Sequence, residues 1–261
     1  MGLALTGILA LVSCSQEDEG IVSQDSTVAI TVNPPESFTR AGGDASAVDF
    51  LQYAILDITG DTPKVIENET LENLTFPLSL NLQLITNHTY GMVFWAGSQN
   101  APYEIDLGAG TMSVDYSETT ANTDVLDAFY FYSTLNVSGN SSLNVTLQRP
   151  FAMVNIGIST DVTSNVQSSI TVEGAATGLN LFTGELVGSA EATFGYSQVP
   201  QNMTYPVVGY NELAYAFILA PKSASADYNL TFSYKEGTSE AVSTTANGVT
   251  LQANYKTNIY K

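Results

Sequence analysis

The sequence predicts an all-β protein. Apolar and polar residues alternate with a period of two in several separate segments, which is typical of strands with one buried face. Tyr, Phe, Val, Ile and Thr, the residues that favour strands, are plentiful, and Gly and Pro fall mostly between the apolar stretches. With 44% apolar and 10% aromatic residues the chain can form a real core. Together these observations favour a β-sandwich.

The predicted strands follow one another along the whole chain. Five segments show the alternation: residues 28–32, 78–84, 143–147, 228–234 and 249–259. Three more are apolar on both faces and are predicted to be central strands: residues 54–56, 92–96 and 214–220. Helical periodicity is poor. The best helix candidates are short, at residues 123–129, with Asn122 as a possible cap, and at residues 162–168.

The chain is long enough for two domains, and we expect a boundary near Arg149 and Pro150. Because proline lacks an N–H group, Pro150 interrupts a long strand pattern. The predicted organisation is a signal at residues 1–14, an acidic linker at 15–26, and sandwiches at 27–148 and 149–261.

The N-terminus indicates export. Residues 2–13 are apolar or small, too few to span a bilayer as a helix but suited to a signal peptide. Cys14, the one cysteine, follows directly, and Leu11-Val12-Ser13-Cys14 looks like a lipobox, which predicts a lipid thioether on Cys14. The alternative is a buried free cysteine in a core strand. Since no basic residue precedes Arg40, we expect the natural start to lie upstream.

Composition argues against several classes of function. The net charge of −19 repels nucleic acid, whose phosphates need Lys and Arg. The single histidine, His88, is predicted to be a loop residue, and Trp95 a core residue. The acidic residues Glu104, Asp106, Asp124 and Asp127 are predicted to be solvated, the alternative being a glycosidase pair. We expect neither a metal nor a cofactor.

Several short motifs, in order, resemble the fimbrillin-like lipoproteins of Bacteroidales. The resemblance covers nearly the whole chain beyond the linker, and it rests on these segments: Tyr53-Ala54-Ile55-Leu56-Asp57, Phe94-Trp95-Ala96, Asp127-Ala128-Phe129-Tyr130, residues 145–152, Leu219-Ala220-Pro221 and residues 254–260. The family implies two tandem transthyretin-like β-sandwich domains and a lipid anchor in the outer membrane through Cys14. It also implies assembly with other pilus subunits by strand exchange.

The family further implies proteolytic processing after an arginine near the N-terminus. Phe38-Thr39-Arg40-Ala41-Gly42-Gly43 resembles that site, so cleavage is expected between Arg40 and Ala41; the alternative is an ordinary loop arginine. Cleavage would remove the strand at residues 28–32. Residues 249–259 are the expected replacement from a neighbouring subunit.

Three functions remain open at this point. The first is a structural or accessory pilus subunit on the cell surface, serving adhesion, with its place in shaft, tip or anchor undecided. The second is a monomeric surface lipoprotein that binds a glycan or a host protein. The third is an enzyme such as a glycosidase, and we expect that the protein is not one.

Overall fold

The computed structural model describes residues 25–34, 45–201, 205–223 and 225–261, and within them the prediction of an all-β protein is confirmed. The described residues contain one short 3-10 helix, Tyr116–Glu118, and eighteen strands. The strands are β1 Asp25–Asn33, β2 Phe50–Asp57, β3 Lys64–Glu72, β4 Leu78–Ile85, β5 His88–Gly97, β6 Tyr103–Asp106, β7 Thr111–Val114, β8 Phe129–Val137, β9 Ser141–Thr146, β10 Phe151–Ile158, β11 Val166–Ala175, β12 Gly178–Asn180, β13 Leu186–Val187, β14 Ala190–Gln198, β15 Asn211–Leu219, β16 Ala226–Glu236, β17 Val242–Leu251 and β18 Lys256–Tyr260.

These strands form five sheets. In the first half of the chain, sheet A has the order β4-β1-β9 and sheet B the order β3-β2-β5-β8. In the second half, sheet D has the order β15-β10-β18 and sheet E the order β14-β11-β16-β17. Sheet C, with the order β13-β12-β7-β6, combines strands from both halves, because β7 pairs with β12.

Sheet B separates two apolar clusters. Along β2 the odd-numbered Leu51, Tyr53 and Ile55 belong to the cluster between sheets A and B, which we call the outer core. The even-numbered Ala54 and Leu56 belong to a larger cluster that extends over sheet C into the second half of the chain, which we call the inner core. Because both faces of the two central strands of sheet B are buried, β2 and β5 have continuous apolar sequences, as predicted.

The third predicted central strand, β15, proves to be an edge strand. Residues 214–220 are buried all the same, because the side chains on both faces of the strand belong to the inner core. The segment that follows β7 covers the edge. The backbone N–H and C=O groups of Tyr215 bond the side-chain oxygen and the backbone N–H of Asn122, both at 2.9 Å. The Tyr116 hydroxyl accepts from Leu219 N and donates to Ala176 O. A loop therefore satisfies the polar groups that an open edge would expose.

A buried ion pair lies where the two halves meet. Arg149 Nε and Nη2 donate to the two carboxylate oxygens of Asp127 at 2.5 and 3.0 Å, and both side chains are at most 1% exposed. Arg149 Nη1 also donates to Asn254 Oδ1 at 3.0 Å, and the guanidinium lies 4.4 Å from the ring centroid of Phe129. The expectation that Asp127 is solvated was wrong, since its charge is neutralised by the buried arginine.

Both predicted helices were also wrong. Residues 124–127 form a turn, in which Asp127 N donates to Asp124 O at 2.8 Å, and β8 begins at Phe129. Val166 is the first residue of β11, which lies between β14 and β16 in sheet E. Alternate residues of this strand are buried. One or two turns of helix contribute little stability without tertiary packing, so segments this short adopt the conformation that strand pairing and turns favour.

The last predicted strand, residues 249–259, is divided. β17 ends at Leu251, and a turn with Asn254 in the left-handed region at φ 62° leads into β18, which pairs in parallel with β10. The apolar residues at odd-numbered positions of this segment are therefore divided between two strands of different sheets and the turn that joins them.

We expect Arg149→Met to lower the free energy of unfolding by about 3–5 kcal/mol, because it leaves Asp127 charged and buried without its partner. Urea unfolding of the full-length protein measures the loss. The double variant Arg149→Met/Asp127→Leu should recover most of it, since no isolated charge remains. Lys235→Met, which removes a partly exposed cation over the Tyr196 ring, is the control and should cost about 1 kcal/mol or less. Equal losses in both single variants would contradict a special role for the junction.

Candidate functional site

The first strand of the described chain lies in the middle of a sheet. β1 pairs antiparallel with β4, from Asp25 opposite Ile85 to Val32 opposite Leu78. On its other side it pairs in parallel with β9, from Val28 beside Ser141 to Asn33 beside Thr146. Since β4 and β9 are joined to one another only through β1, removing β1 would divide sheet A.

The inward side chains of β1 form part of the outer core. Val28, Ile30 and Val32 are each at most 1% exposed, while Ala29 between them is exposed. The prediction that residues 28–32 form a strand of the first half of the chain is confirmed. Apolar and polar residues alternate along this strand because one face is buried and the other points outward, as expected.

Polar contacts hold both ends of β1 in register. Near its start, Thr27 N donates to Asn140 Oδ1 at 2.9 Å, and Ser26 Oγ lies 2.7 Å from Thr86 Oγ1. Near its end, Asn33 Nδ2 donates to Val145 O at 3.2 Å. The strand is thus bonded to its neighbours along its whole length by backbone ladders and at both ends by side chains.

Without β1 the outer core would have a groove at this position. Its walls would be the facing edges of β4 and β9, each with a row of unpaired backbone groups. Its floor would be apolar: Met92 and Phe94 of sheet B belong to the same cluster, as do Leu82 and Leu84 on β4 and Val145 on β9 at its sides. Such a groove selects an extended segment with apolar side chains at every second position.

The predicted lipidation and processing residues lie outside the described residues. Cys14 precedes β1, and Arg40 and Ala41 belong to the stretch between Pro34 and Ala45. Lipidation at Cys14 and cleavage after Arg40 therefore stay predictions. Cys14 comes before β1 and Arg40 comes between β1 and β2, so cleavage after Arg40 would separate β1 and Cys14 from the rest of the chain.

His88 was predicted to be a loop residue, and this was wrong. It is the first residue of β5, and its Nδ1 lies 2.7 Å from Asp57 Oδ2 at the end of β2. Burial raises the pKa of Asp57, but hydrogen bonds from Thr59 and His88 outweigh it and leave the pKa below its ordinary value. The pair joins the ends of two neighbouring strands.

The other acidic candidates do not form one group. Glu104 and Asp106 are exposed on β6, and Asp106 Oδ1 accepts from Ala109 N in the turn that follows. Asp127 is held by Arg149. Among the described residues no group of three or more His, Cys, Asp or Glu side chains is placed to hold a metal ion. Trp95 is fully buried, which confirms its prediction as a core residue.

The part of the chain that the structure describes has no helix long and apolar enough to cross a membrane.

Comparisons with known proteins give a family and a fold. The model of a family of unknown function, DUF6562, matches residues 19–260. No curated protein sequence matches the chain. A candidate polysaccharide-binding protein from Bacteroides thetaiotaomicron aligns with a TM-score of 0.55 and 14% identity, over 80% of this chain and 76% of that one.

Two further solved structures share the fold. A candidate adhesin from Bacteroides ovatus has a TM-score of 0.55 and 10% identity, over 85% of this chain and 76% of its own. A candidate adhesin from Bacteroides thetaiotaomicron has a TM-score of 0.55 and 13% identity, over 87% and 81%. At these identities the likeness concerns the fold alone.

We expect Ile30→Ala to lower the free energy of unfolding by about 2–5 kcal/mol, because it removes a fully buried side chain from the outer core. The matched control is Thr31→Ala, the next residue of the same strand, whose side chain points to the other face. That change should cost about 1 kcal/mol or less. Urea unfolding of the full-length protein measures both. Equal costs at the two positions would show that β1 contributes little to the outer core.

Proposed function

The chain belongs to DUF6562, a family of unknown function, and we propose that it is an adhesion protein of the bacterial surface, a structural or accessory subunit of a pilus that assembles by strand exchange. One observation supports this most directly. The first strand of the described residues occupies the centre of sheet A, yet the predicted processing site at Arg40 lies between it and β2 in the sequence.

Cleavage after Arg40 would change what holds β1. In the intact chain β1 is tethered to β2, so its apolar side chains fill their groove at high effective concentration. After cleavage only backbone ladders and side-chain packing hold it, and a strand from another subunit competes on equal terms. The small residues Ala41, Gly42 and Gly43 after Arg40 suit the extended fit that a protease needs.

The energy at stake is comparable to the stability of a domain. Burying Val28, Ile30 and Val32 contributes about 4.5–9 kcal/mol in total. The whole stability of a typical domain is about 5–15 kcal/mol. A subunit that has lost β1 would therefore gain a large part of its stability by binding a replacement strand, and this free energy would drive assembly.

The division of the chain into two sandwiches, residues 27–148 and 149–261, is part of the proposal. Sheets A and B come from the first segment and sheets D and E from the second. Residues 103–122 of the first sandwich would form an arm on the second, through the pairing of β7 with β12 and the contacts of Asn122. The arm would fix the two sandwiches relative to one another, as a subunit of a fibre under tension requires.

A lipid on Cys14 would place the protein at the outer membrane. One acyl chain binds membranes only marginally and stable anchoring takes at least two, as bacterial lipoproteins have. The acidic run at residues 15–19 resembles the export tag of surface lipoproteins, which supports an outward-facing location. Candidate adhesins of Bacteroides share the fold, and this also supports a surface role.

We expect residues 41–261 to form oligomers, or to unfold at a lower temperature than residues 27–261, because the groove of β1 is empty. A peptide of residues 27–34 should restore the monomer and raise the unfolding temperature. Size-exclusion chromatography with light scattering and thermal unfolding measure the two effects.

The control is the same peptide with Asn in place of Val28, Ile30 and Val32, which keeps the backbone ladders but cannot fill the groove. It should have no effect. Strand exchange at β1 is refuted if residues 41–261 stay monomeric, are as stable as the longer form and ignore the peptide. That result would favour the monomeric surface-lipoprotein alternative.

We expect Cys14→Ala to release the protein from the outer-membrane fraction or to leave its precursor uncleaved. Metabolic labelling with a palmitate analogue, followed by membrane fractionation, measures this. Ser13→Ala, at the neighbouring position, is the control and should keep both the label and the location. A Cys14→Ala protein that is still labelled and still in the membrane would exclude Cys14 as the lipidation site.

A further inference from the structure

A cleft lies between the two halves of the chain, beside the Arg149 junction. Its walls are β8, the hairpin of β12 and β13 with its connecting residues 181–185, and the residues that follow β15. The main chamber has a volume of about 520 Å³, and a second chamber of about 220 Å³ continues from it to the turn before β18. Both chambers are lined by Tyr130, Gln148, Gly184 and Lys222, so they form one elongated cleft.

Aromatic rings line this cleft from both halves. Tyr132 on β8 and Phe182 in the hairpin have ring centroids 5.0 Å apart at an angle of 41°, and both are only half-buried. At the far end of the second chamber Tyr255 is 54% exposed. Tyr132 and Phe182 pack in part against the inner core and also line the cleft, so each leaves part of its ring open to a ligand there.

The Phe182 ring is held in place before any ligand arrives. The Asn180 side chain accepts hydrogen bonds from the backbone N–H groups of Phe182 and Thr183, both at 3.0 Å, and Gly184 N donates to Asn180 O at 2.8 Å. The ring rests on Gly110, where a Cβ atom would come within 2.4 Å of it. A hairpin fixed in this way loses little conformational entropy on binding.

Polar side chains line the same cleft. The Gln148 amide provides both donors and an acceptor, Lys222 a cation, and Glu185 a carboxylate at the rim. Gln252 in the second chamber is fixed by its bond to Lys222 O at 3.1 Å. The cleft thus combines aromatic rings with hydrogen-bond donors and acceptors, and its charges are of both signs.

We propose that this cleft binds an oligosaccharide. A sugar ring has an apolar C–H face that packs on an aromatic ring and a rim of hydroxyls that bond amides and charged groups, and the cleft presents both along its length. A polyanion is disfavoured because Glu185 and the net charge of −19 repel it. A lipid chain is disfavoured because polar groups interrupt the apolar lining. As the adhesive ligand site, the cleft rests on the proposed surface function.

The test uses the full-length protein on an array of cello-, xylo-, manno- and galacto-oligosaccharides and mucin O-glycans, with the strongest binder then titrated by calorimetry. We expect Phe182→Ala and Tyr132→Ala each to weaken binding about 10-fold or more, and Lys222→Ala to weaken it less. Tyr132→Phe should keep most of the affinity. Tyr196→Ala, which changes an exposed ring on β14 outside the cleft, is the control and should leave binding unchanged.

Thermal unfolding of each variant separates lost binding from lost structure, and only variants that unfold within about 5 °C of the parent are compared. No binding to any glycan on the array, binding that the cleft variants leave unchanged, or binding to a peptide array instead would overturn the proposal. Glycan binding is measured on the isolated protein, so it is independent of strand exchange at β1. A failure here would leave the assembly proposal standing, and the reverse also holds.

Discussion

The architecture depends on the side chain of one buried arginine. A guanidinium cannot give up its charge, so burying Arg149 requires partners that are themselves fixed. Those partners come from distant parts of the chain: Asp127 just before β8, Phe129 at the start of β8, and Asn254 in the turn before β18. Pro150 and β10 follow Arg149 directly. The ion pair thus ties the start of β8, the entry to sheet D and the last strand to one point.

The strands with the strongest patterns could be predicted from the sequence, and the reason is local. Alternation in β1 and β4, and unbroken apolar runs in β2 and β5, follow from how many faces of each strand are buried. Sheet C could not be predicted, since strands of two to four residues have too few positions for a period. β15 resembled a central strand because both of its faces are buried in the inner core. Its edge is covered by Tyr116 and Asn122, and no local pattern encodes contacts across about a hundred residues.

The candidate site was predictable to a similar extent. The apolar face of β1 followed from Val28, Ile30 and Val32, but its parallel pairing with β9 did not, because parallel partners are set by topology and not by a turn. The burial of Asp127 was mispredicted for a different reason. Asp127 and Glu104 are chemically alike in the sequence, and only the arrival of Arg149 from another part of the chain separates a buried partner from a solvated one.

The two apolar clusters explain how a central strand could be exchanged without unfolding the whole molecule. β1 contributes three of the sixteen buried residues of the outer core and none of the inner core. Sheet B separates the two, so its inner face stays packed on sheet C when its outer face loses a neighbour. Loss of β1 would therefore remove side chains from the outer core and none from the inner core. The Arg149 junction borders the outer core, since its guanidinium packs on Phe129, while Tyr130 beside it belongs to the inner core. A subunit built in this way could exchange a strand in the groove of β1 and bind a ligand in the cleft.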